Sequence, residues 1–155
     1  MMKSHRMPSI LPRTAEYAVR ASVLLARHYG ERLVSADEIA SVLGAPRNYL
    51  SKTLNALVRG GVLTSMRGPH GGFALAKAPE QLSVADVMDV FGDVKSVAAR
   101  CVLEDRACDA DFPCAAHRRW STITRLAREP LVATSIAELC GAHRSTNAPQ
   151  QRMTP

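Results

Sequence analysis

Apolar positions recur at three- and four-residue spacing in RTAEYAVRASVLLARHY (residues 13–29), where Ala15, Ala18, Val19, Ser22, Val23 and Ala26 share one side. That period predicts a first helix over 13–29, ended by Gly30. The next periodic stretch is VSADEIASVLG. Ser35 can cap a short helix of about nine residues there, with Glu38 three positions on as in a capping box. Ile39, Val42 and Leu43 form its expected inner face, and Gly44 suits the left-handed residue that closes a helix. In PRNYLSKTLNALVRGG, Pro46 is pre-set for a first helical turn and Leu50, Leu54, Leu57 and Val58 lie on one side. Gly60 and Gly61 stop this third helix.

The third helix is polar and basic on its outer side, where Arg47, Asn48, Ser51, Lys52, Asn55 and Arg59 fall. Two helices joined by a short turn, the second so decorated, read as a helix-turn-helix. VLTSMRGPHGGFALAK follows with two strand-like runs, 62–66 and 73–76, around Arg67-Gly-Pro-His-Gly-Gly72. Glycine and proline there mark a hairpin with a turn longer than two residues. A hairpin directly after a recognition helix is a wing. Arg67, at the base of a glycine-rich tip, suits a narrow minor groove, where negative potential is high and bulk is excluded.

Residues 83–92 read as a fourth helix with Ser83 as cap and Asp86 three positions later. CVLEDRACDADFPCAAHRRW (101–120) is too rich in Asp and small residues to be a helix throughout. Helical periodicity resumes over 115–128, where Trp120, Ile123 and Ala127 share a stripe. Pro130 is expected to interrupt it, and 135–139 to add a turn or two. The expected organisation is an N-terminal arm (1–12), a winged helix-turn-helix (13–80), a cysteine loop with a long helix (81–140) and a polar, disordered tail (141–155). The fold class is mainly α, a winged helix-turn-helix with a small β-hairpin wing and a long C-terminal helix.

Charge supports the division. Residues 1–80 hold eleven Lys or Arg against five Asp or Glu, whereas 81–155 hold nine of each. The whole net charge of +6 therefore lies in the half that carries the helix-turn-helix. That is expected of a nucleic-acid-binding module joined to a neutral one, although net charge alone fits a merely soluble basic surface as well. Arg47, Asn48, Ser51 and Lys52 are candidate base or phosphate contacts. Arg and Asn match guanine and adenine edges, and Lys52 and Arg59 suit phosphates. Tyr49 has a hydroxyl for a phosphate, or a place half-buried. Arg67 and His70 belong to the wing tip. No apolar run approaches the ~20 residues of a membrane span, and the first residues lack a secretory signal. Both point to the cytoplasm. A C-x-x-C pair, a glycine-rich phosphate loop and other catalytic motifs are missing, so an enzyme is not expected.

Four cysteines are present, three of them at C-x6-C-x5-C spacing in Cys101, Cys108 and Cys114, with His117 following the third after two intervening residues. The tight pairs of zinc fingers and of ferredoxins are missing. Soft thiolates in one loop suit an iron–sulfur cluster, zinc or cuprous copper, and a metal-free thiol switch is a further possibility. Cys140 lies outside the motif.

EYAVRA, SADEIASVLG, RNYLSKTL, RGPHGGF, SVADV and the spaced cysteines, in this order, resemble the Rrf-type family of bacterial winged-helix regulators, the IscR/NsrR/RirA-like proteins. The likeness runs from about Arg13 to Leu139, with His70 standing where a third wing glycine is expected. It implies a transcriptional regulator that binds a roughly palindromic double-stranded DNA operator as a homodimer. The helix over 115–128 would then pair with its two-fold mate through Trp120, Ile123 and Ala127. It also implies a 2Fe–2S or 4Fe–4S cluster on Cys101, Cys108 and Cys114 that senses iron, redox state or nitric oxide. His117 and Glu16 are the candidates for a fourth ligand. The alternative is a constitutive DNA-binding repressor with structural zinc or a metal-free thiol switch.

Overall fold

In the computed structural model, residues 12–92 and 114–145 are described. Their elements are α1 (Arg13–Ala26), α2 (Ala36–Leu43), α3 (Arg47–Arg59), β1 (Leu63–Met66), β2 (Gly72–Leu75), a 3-10 turn at Pro79–Gln81, α4 (Val84–Asp89), α5 (His117–Ala133) and α6 (Ile136–Ser145). Helix α1 is the hub, packing on α2, α3, α4, β2 and α6. Its buried side is mostly small: Ala15, Ala18, Ala21 and Ser22, then Leu24 and Leu25. Small residues let neighbouring backbones approach closely, and the buried Ser22 hydroxyl is satisfied by donating to the Ala18 carbonyl at 2.9 Å.

Helix α2 starts and stops where its sequence says. The Ser35 hydroxyl accepts the Glu38 amide proton at 3.2 Å, and Gly44 takes φ +60°. The capping box is only half made, because Arg32 donates to the Glu38 carboxylate at 2.6 and 2.9 Å instead. Those hydrogen bonds, with the charge of Arg32, hold the Glu38 carboxyl below its ordinary value against the opposing effect of desolvation. The inner face of α2 differs from the expected one: Ile39, Ala40 and Leu43 are buried, while Val42 is 58% exposed. Stripes through 39, 42, 43 and through 39, 40, 43 are both apolar, and only tertiary packing chooses between them.

Helix α3 buries Leu50, Thr53, Leu54 and Leu57 and turns its basic side outward. The wing pairs antiparallel from Leu63↔Leu75 to Met66↔Gly72, with residues 67–71 as its loop. Its second strand has another neighbour that periodicity does not reveal. Val34 and Phe73 exchange two backbone hydrogen bonds, at 3.0 and 2.8 Å, tying the wing to the entrance of α2.

Ser83 and Asp86 make a full capping box at α4, which runs six residues, shorter than 83–92. Ser135 and Glu138 form the same reciprocal pair ahead of α6, at 2.9 and 3.1 Å. The two caps are themselves bridged, through Val84 N–H to Thr134 carbonyl at 3.0 Å and Ile136 N–H to Leu82 carbonyl at 2.8 Å. Residues from both sides of position 80 share one core, with Leu82, Val84, Val87, Met88 and Ile136 joining the leucines of α1 and α3.

Pro130 does not interrupt α5, which continues to Ala133. Proline removes one N–H bond in the last turn of an exposed helix, where water can satisfy the freed carbonyl. Its own carbonyl still accepts the Thr134 amide at 3.0 Å. Helix α6 runs to Ser145, past the expected start of the tail at 141, and buries Ile136 and Cys140.

Candidate functional site

The outer side of α3 presents Arg47, Asn48, Lys52, Asn55 and Arg59 to solvent, with Ser51 half-buried behind them. The buried Leu50, Leu54 and Leu57 fix the helix on the core, so these polar side chains share one outward face. Gly61, at φ +72°, turns the chain from α3 into the wing, and the Val62 amide closes the corner on the Leu57 carbonyl at 3.0 Å. Arg67 and His70 are both exposed at the wing tip. Gly71 is demanded by closeness: a methyl there would lie 2.2 Å from the Met66 carbonyl oxygen.

Two residues in the first turn of α3 are already engaged. Arg47 pairs with Asp37 of α2 through Nε and Nη2, the latter at 3.1 Å from Oδ2, and both side chains are 66% exposed. Tyr49 turns back to α1, sharing a hydrogen bond with the Thr14 hydroxyl and meeting Tyr17 edge-on with ring centroids 5.8 Å apart. Of the two places expected for Tyr49, a phosphate or a half-buried position, its contacts within the chain match the second.

Of the expected cluster ligands, Cys101 and Cys108 lie outside the described residues. Cys114 and His117 form one turn at the start of α5, the His117 amide donating to the Cys114 carbonyl at 3.0 Å. A thiol and an imidazole are thereby brought to one helix entrance, a donor pair that suits a soft metal centre. Glu16 sits in the first turn of α1, 3.7 Å from Arg20. Among the described residues, no three His, Cys, Asp or Glu side chains gather as a metal site.

Helix α5 buries nothing. Trp120, Ile123, Leu126 and Val132 are 36%, 55%, 55% and 53% exposed. Ala127 is exposed with them. Leu126 and Pro130 widen the stripe that Trp120, Ile123 and Ala127 predict, carrying the same periodicity through the proline. The helix is held on the rest of the chain near its C-terminal end. There Arg128 grips Asp89 of α4 with two 2.9 Å hydrogen bonds, and Leu131 packs on the core. Asp89 raises the Arg128 pKa above its ordinary value, chiefly through those hydrogen bonds. Asp37 and Asp89 are both partners that no local pattern announces.

The Rrf2 family model, described as an iron-dependent transcriptional regulator, matches residues 11–142. The chain belongs to the Rrf2 family. A helix-turn-helix-type transcriptional regulator of Aquifex aeolicus is 36% identical over 128 residues, 81% of this chain and 88% of that protein. In fold, the chain is similar to T. potens IscR, with a TM-score of 0.72 at 24% identity over 93% of this chain and 95% of IscR. CymR, described as the global cysteine regulator of B. subtilis, gives a TM-score of 0.69 at 23% identity over 87% and 98%. The winged helix and the regulator class of the Rrf2 proteins are therefore those of this chain. It is a DNA-binding transcriptional regulator and not an enzyme. Among the described residues no helix is long and apolar enough to cross a membrane.

Proposed function

We propose that this Rrf2 protein is a cytoplasmic, homodimeric regulator that reads a two-fold operator and senses iron, redox state or nitric oxide through an iron–sulfur cluster. Cys101, Cys108 and Cys114 are the protein thiolates, with His117 or Glu16 as fourth ligand. The single observation that carries the reading is that Cys114 is tied by its backbone carbonyl to the first turn of a long helix whose apolar stripe is unburied. A group held at Cys114 and His117 sits at the head of the helix whose Trp120, Ile123 and Ala127 face the two-fold mate.

On the duplex, Arg47, Asn48, Ser51 and Lys52 address the major groove, Arg59 a phosphate, and Arg67 and His70 the groove beside the wing. A bound cluster supplies reactivity toward oxidants and nitric oxide. The chain's own part is to hold α5 at one angle to its mate, and so fix the spacing between two copies of α3. A switch of this kind acts only as far as its two states differ in affinity for DNA.

The test is an absorbance spectrum with iron and sulfide assays on protein purified without oxygen, with Cys108→Ser alongside. Visible absorbance with stoichiometric iron and sulfide, lost in the variant, supports the reading. A colourless, iron-free preparation overturns it. One observation favours a second reading, a metal-free thiol switch: the likeness in fold to Staphylococcus aureus CymR, a structure of which is described as an oxidized form. DNA binding that responds to thiol oxidation in iron-free protein would select it, and stoichiometric zinc would select a structural site.

A further inference from the structure

We infer that Asp37 is a specificity-determining residue that positions Arg47 for a guanine. The inference rests on reading α3 as the recognition helix. Arg47 stands at the first position of α3 and Asp37 in the first turn of α2, ten residues earlier and across the turn that joins the two helices. The contact is side-on: Asp37 Oδ1 takes Nε, and Oδ2 takes Nη2 at 3.1 Å.

A guanidinium has two edges able to make paired hydrogen bonds, one through Nε and one Nη, the other through both Nη groups. Asp37 occupies the first edge and leaves the second free, pointing away from the carboxylate that holds it. That free edge matches the O6 and N7 acceptors of guanine. Arginine otherwise carries large rotamer freedom, which each base contact has to overcome. An arginine held in advance loses less on binding, and it is less available to swing onto a phosphate. The carboxylate adds a second effect of the same sign. It is 66% exposed beside a basic surface, where it repels phosphates in any register that does not satisfy Arg47. Asp37 therefore disfavours non-specific duplex and favours one base at one position.

Asp37 stands in the first turn of α2, where an acid complements the helix dipole by about 0.3–1 kcal/mol, but that role does not require its two bonds to Arg47. Both side chains are exposed, and an exposed pair contributes about 0–1 kcal/mol to folding. Asp37 does not cap α2, a task done by Ser35. What the helix dipole leaves unexplained is the two-point, side-on grip on Arg47, and that grip is explained by what it does to the arginine.

The experiment selects duplexes from a random-sequence pool with the full-length dimer, then measures binding to the selected duplex, to its single-base variants and to an unselected duplex by fluorescence anisotropy. Wild type, Asp37→Asn, Asp37→Ala, Arg47→Ala and the double variant Asp37→Ala/Arg47→Ala are compared. Wild type should prefer guanine at one half-site position. Both Asp37 variants should lose about tenfold of that preference, since a good bidentate contact carries roughly 5- to 150-fold discrimination, and should bind the unselected duplex a few-fold more tightly. In the Arg47→Ala background, removing Asp37 should leave base preference unchanged. Asn is isosteric with Asp, so an effect in Asp37→Asn with unaltered melting excludes misfolding as its cause. Unchanged guanine preference in Asp37→Asn and Asp37→Ala overturns the inference while leaving the DNA-reading helix intact. So does a change of preference that persists without Arg47. Enrichment of no duplex at all overturns both.

Discussion

Gly72 opens the second strand of the wing at a place where a side chain has nowhere to go. A methyl on its α-carbon would lie 2.6 Å from the Val34 carbonyl oxygen, 2.8 Å from the Val34 carbonyl carbon and 3.1 Å from the Ser35 amide nitrogen. All three are backbone atoms at the entrance of α2, so no side-chain rotation relieves the contact. Gly72→Ala must separate the wing from Val34, at the expense of the two hydrogen bonds between Val34 and Phe73. At a net 0.5–1.5 kcal/mol each, their loss amounts to about 1–3 kcal/mol. For a chain of this length that lowers the melting temperature by about 2–4 °C per kcal/mol. Gly141 is the internal comparison: it lies in α6 with nothing within 4 Å of an added methyl. Gly141→Ala should stabilise by about 0.5–1 kcal/mol, because it removes only the backbone freedom of a helical glycine. Thermal unfolding followed by circular dichroism reads both. The two variants should move in opposite directions, and Gly72→Ala should also weaken duplex binding by shifting Arg67. If Gly72→Ala melts with wild type, the close approach of wing and α2 is not a constraint and the reasoning fails.

Three further substitutions test how the remaining parts are held. Ser83→Ala removes one side of the α4 capping box and should cost about 1 kcal/mol in urea unfolding; an unchanged midpoint would show that the Ser83–Ser135 bridge alone sets the helix start. Arg128→Ala leaves Asp89 without its two 2.9 Å bonds. The loss should be about 1–2 kcal/mol, below the 3–5 of a fully buried pair because both groups retain some solvent. A chevron or melt with wild-type stability would mean that Leu131 holds α5 without it. Ile123→Asp places a charge in the exposed stripe of α5 and should turn a dimer into a monomer by light scattering with little effect on secondary structure; a dimer of undiminished affinity would move the interface elsewhere.

The parts of this fold that local chemistry governs are the parts the residues announce. Ser35 with Gly44, Pro46 with Gly60, and Ser83 with Asp86 each mark a helix end through a bond to a neighbour three or four residues away. The hairpin is equally local. What fails is whatever depends on distant partners. Val42 and Ala40 compete for the same inner face, and the packing of α2 on α1 and α3 decides for Ala40. Pro130 breaks a buried helix but is tolerated in the exposed last turn of α5. The bridge from Val34 to Phe73 joins residues 39 apart, and the one from Ser83 to Ser135 spans 52, so neither leaves a periodic trace. The same holds at the surface. The basic outer side of α3 is legible as a stripe, whereas Asp37 beside Arg47 and Thr14 beside Tyr49 follow only from how α1, α2 and α3 are stacked.

That stacking also fixes how the second half of the chain can address the first. Gly60 ends α3, and a methyl there would lie 2.5 Å from Val90 Cγ2, so the end of the recognition helix rests directly on the segment that leaves α4. On the far side of the cysteine-bearing stretch, α5 returns to α4 through Arg128 and Asp89, and α6 returns to α1. Val90, two residues before Gly92, lies against the end of α3, and the helix that follows Cys114 is clamped to the same short α4. Interiors packed this closely transmit a shift rather than absorb it. On the sensing function proposed above, a chemical change among those cysteines would reach α3 through α4, which has Val90 against Gly60 and shares a core, through Val87 and Met88, with Leu54 and Leu57.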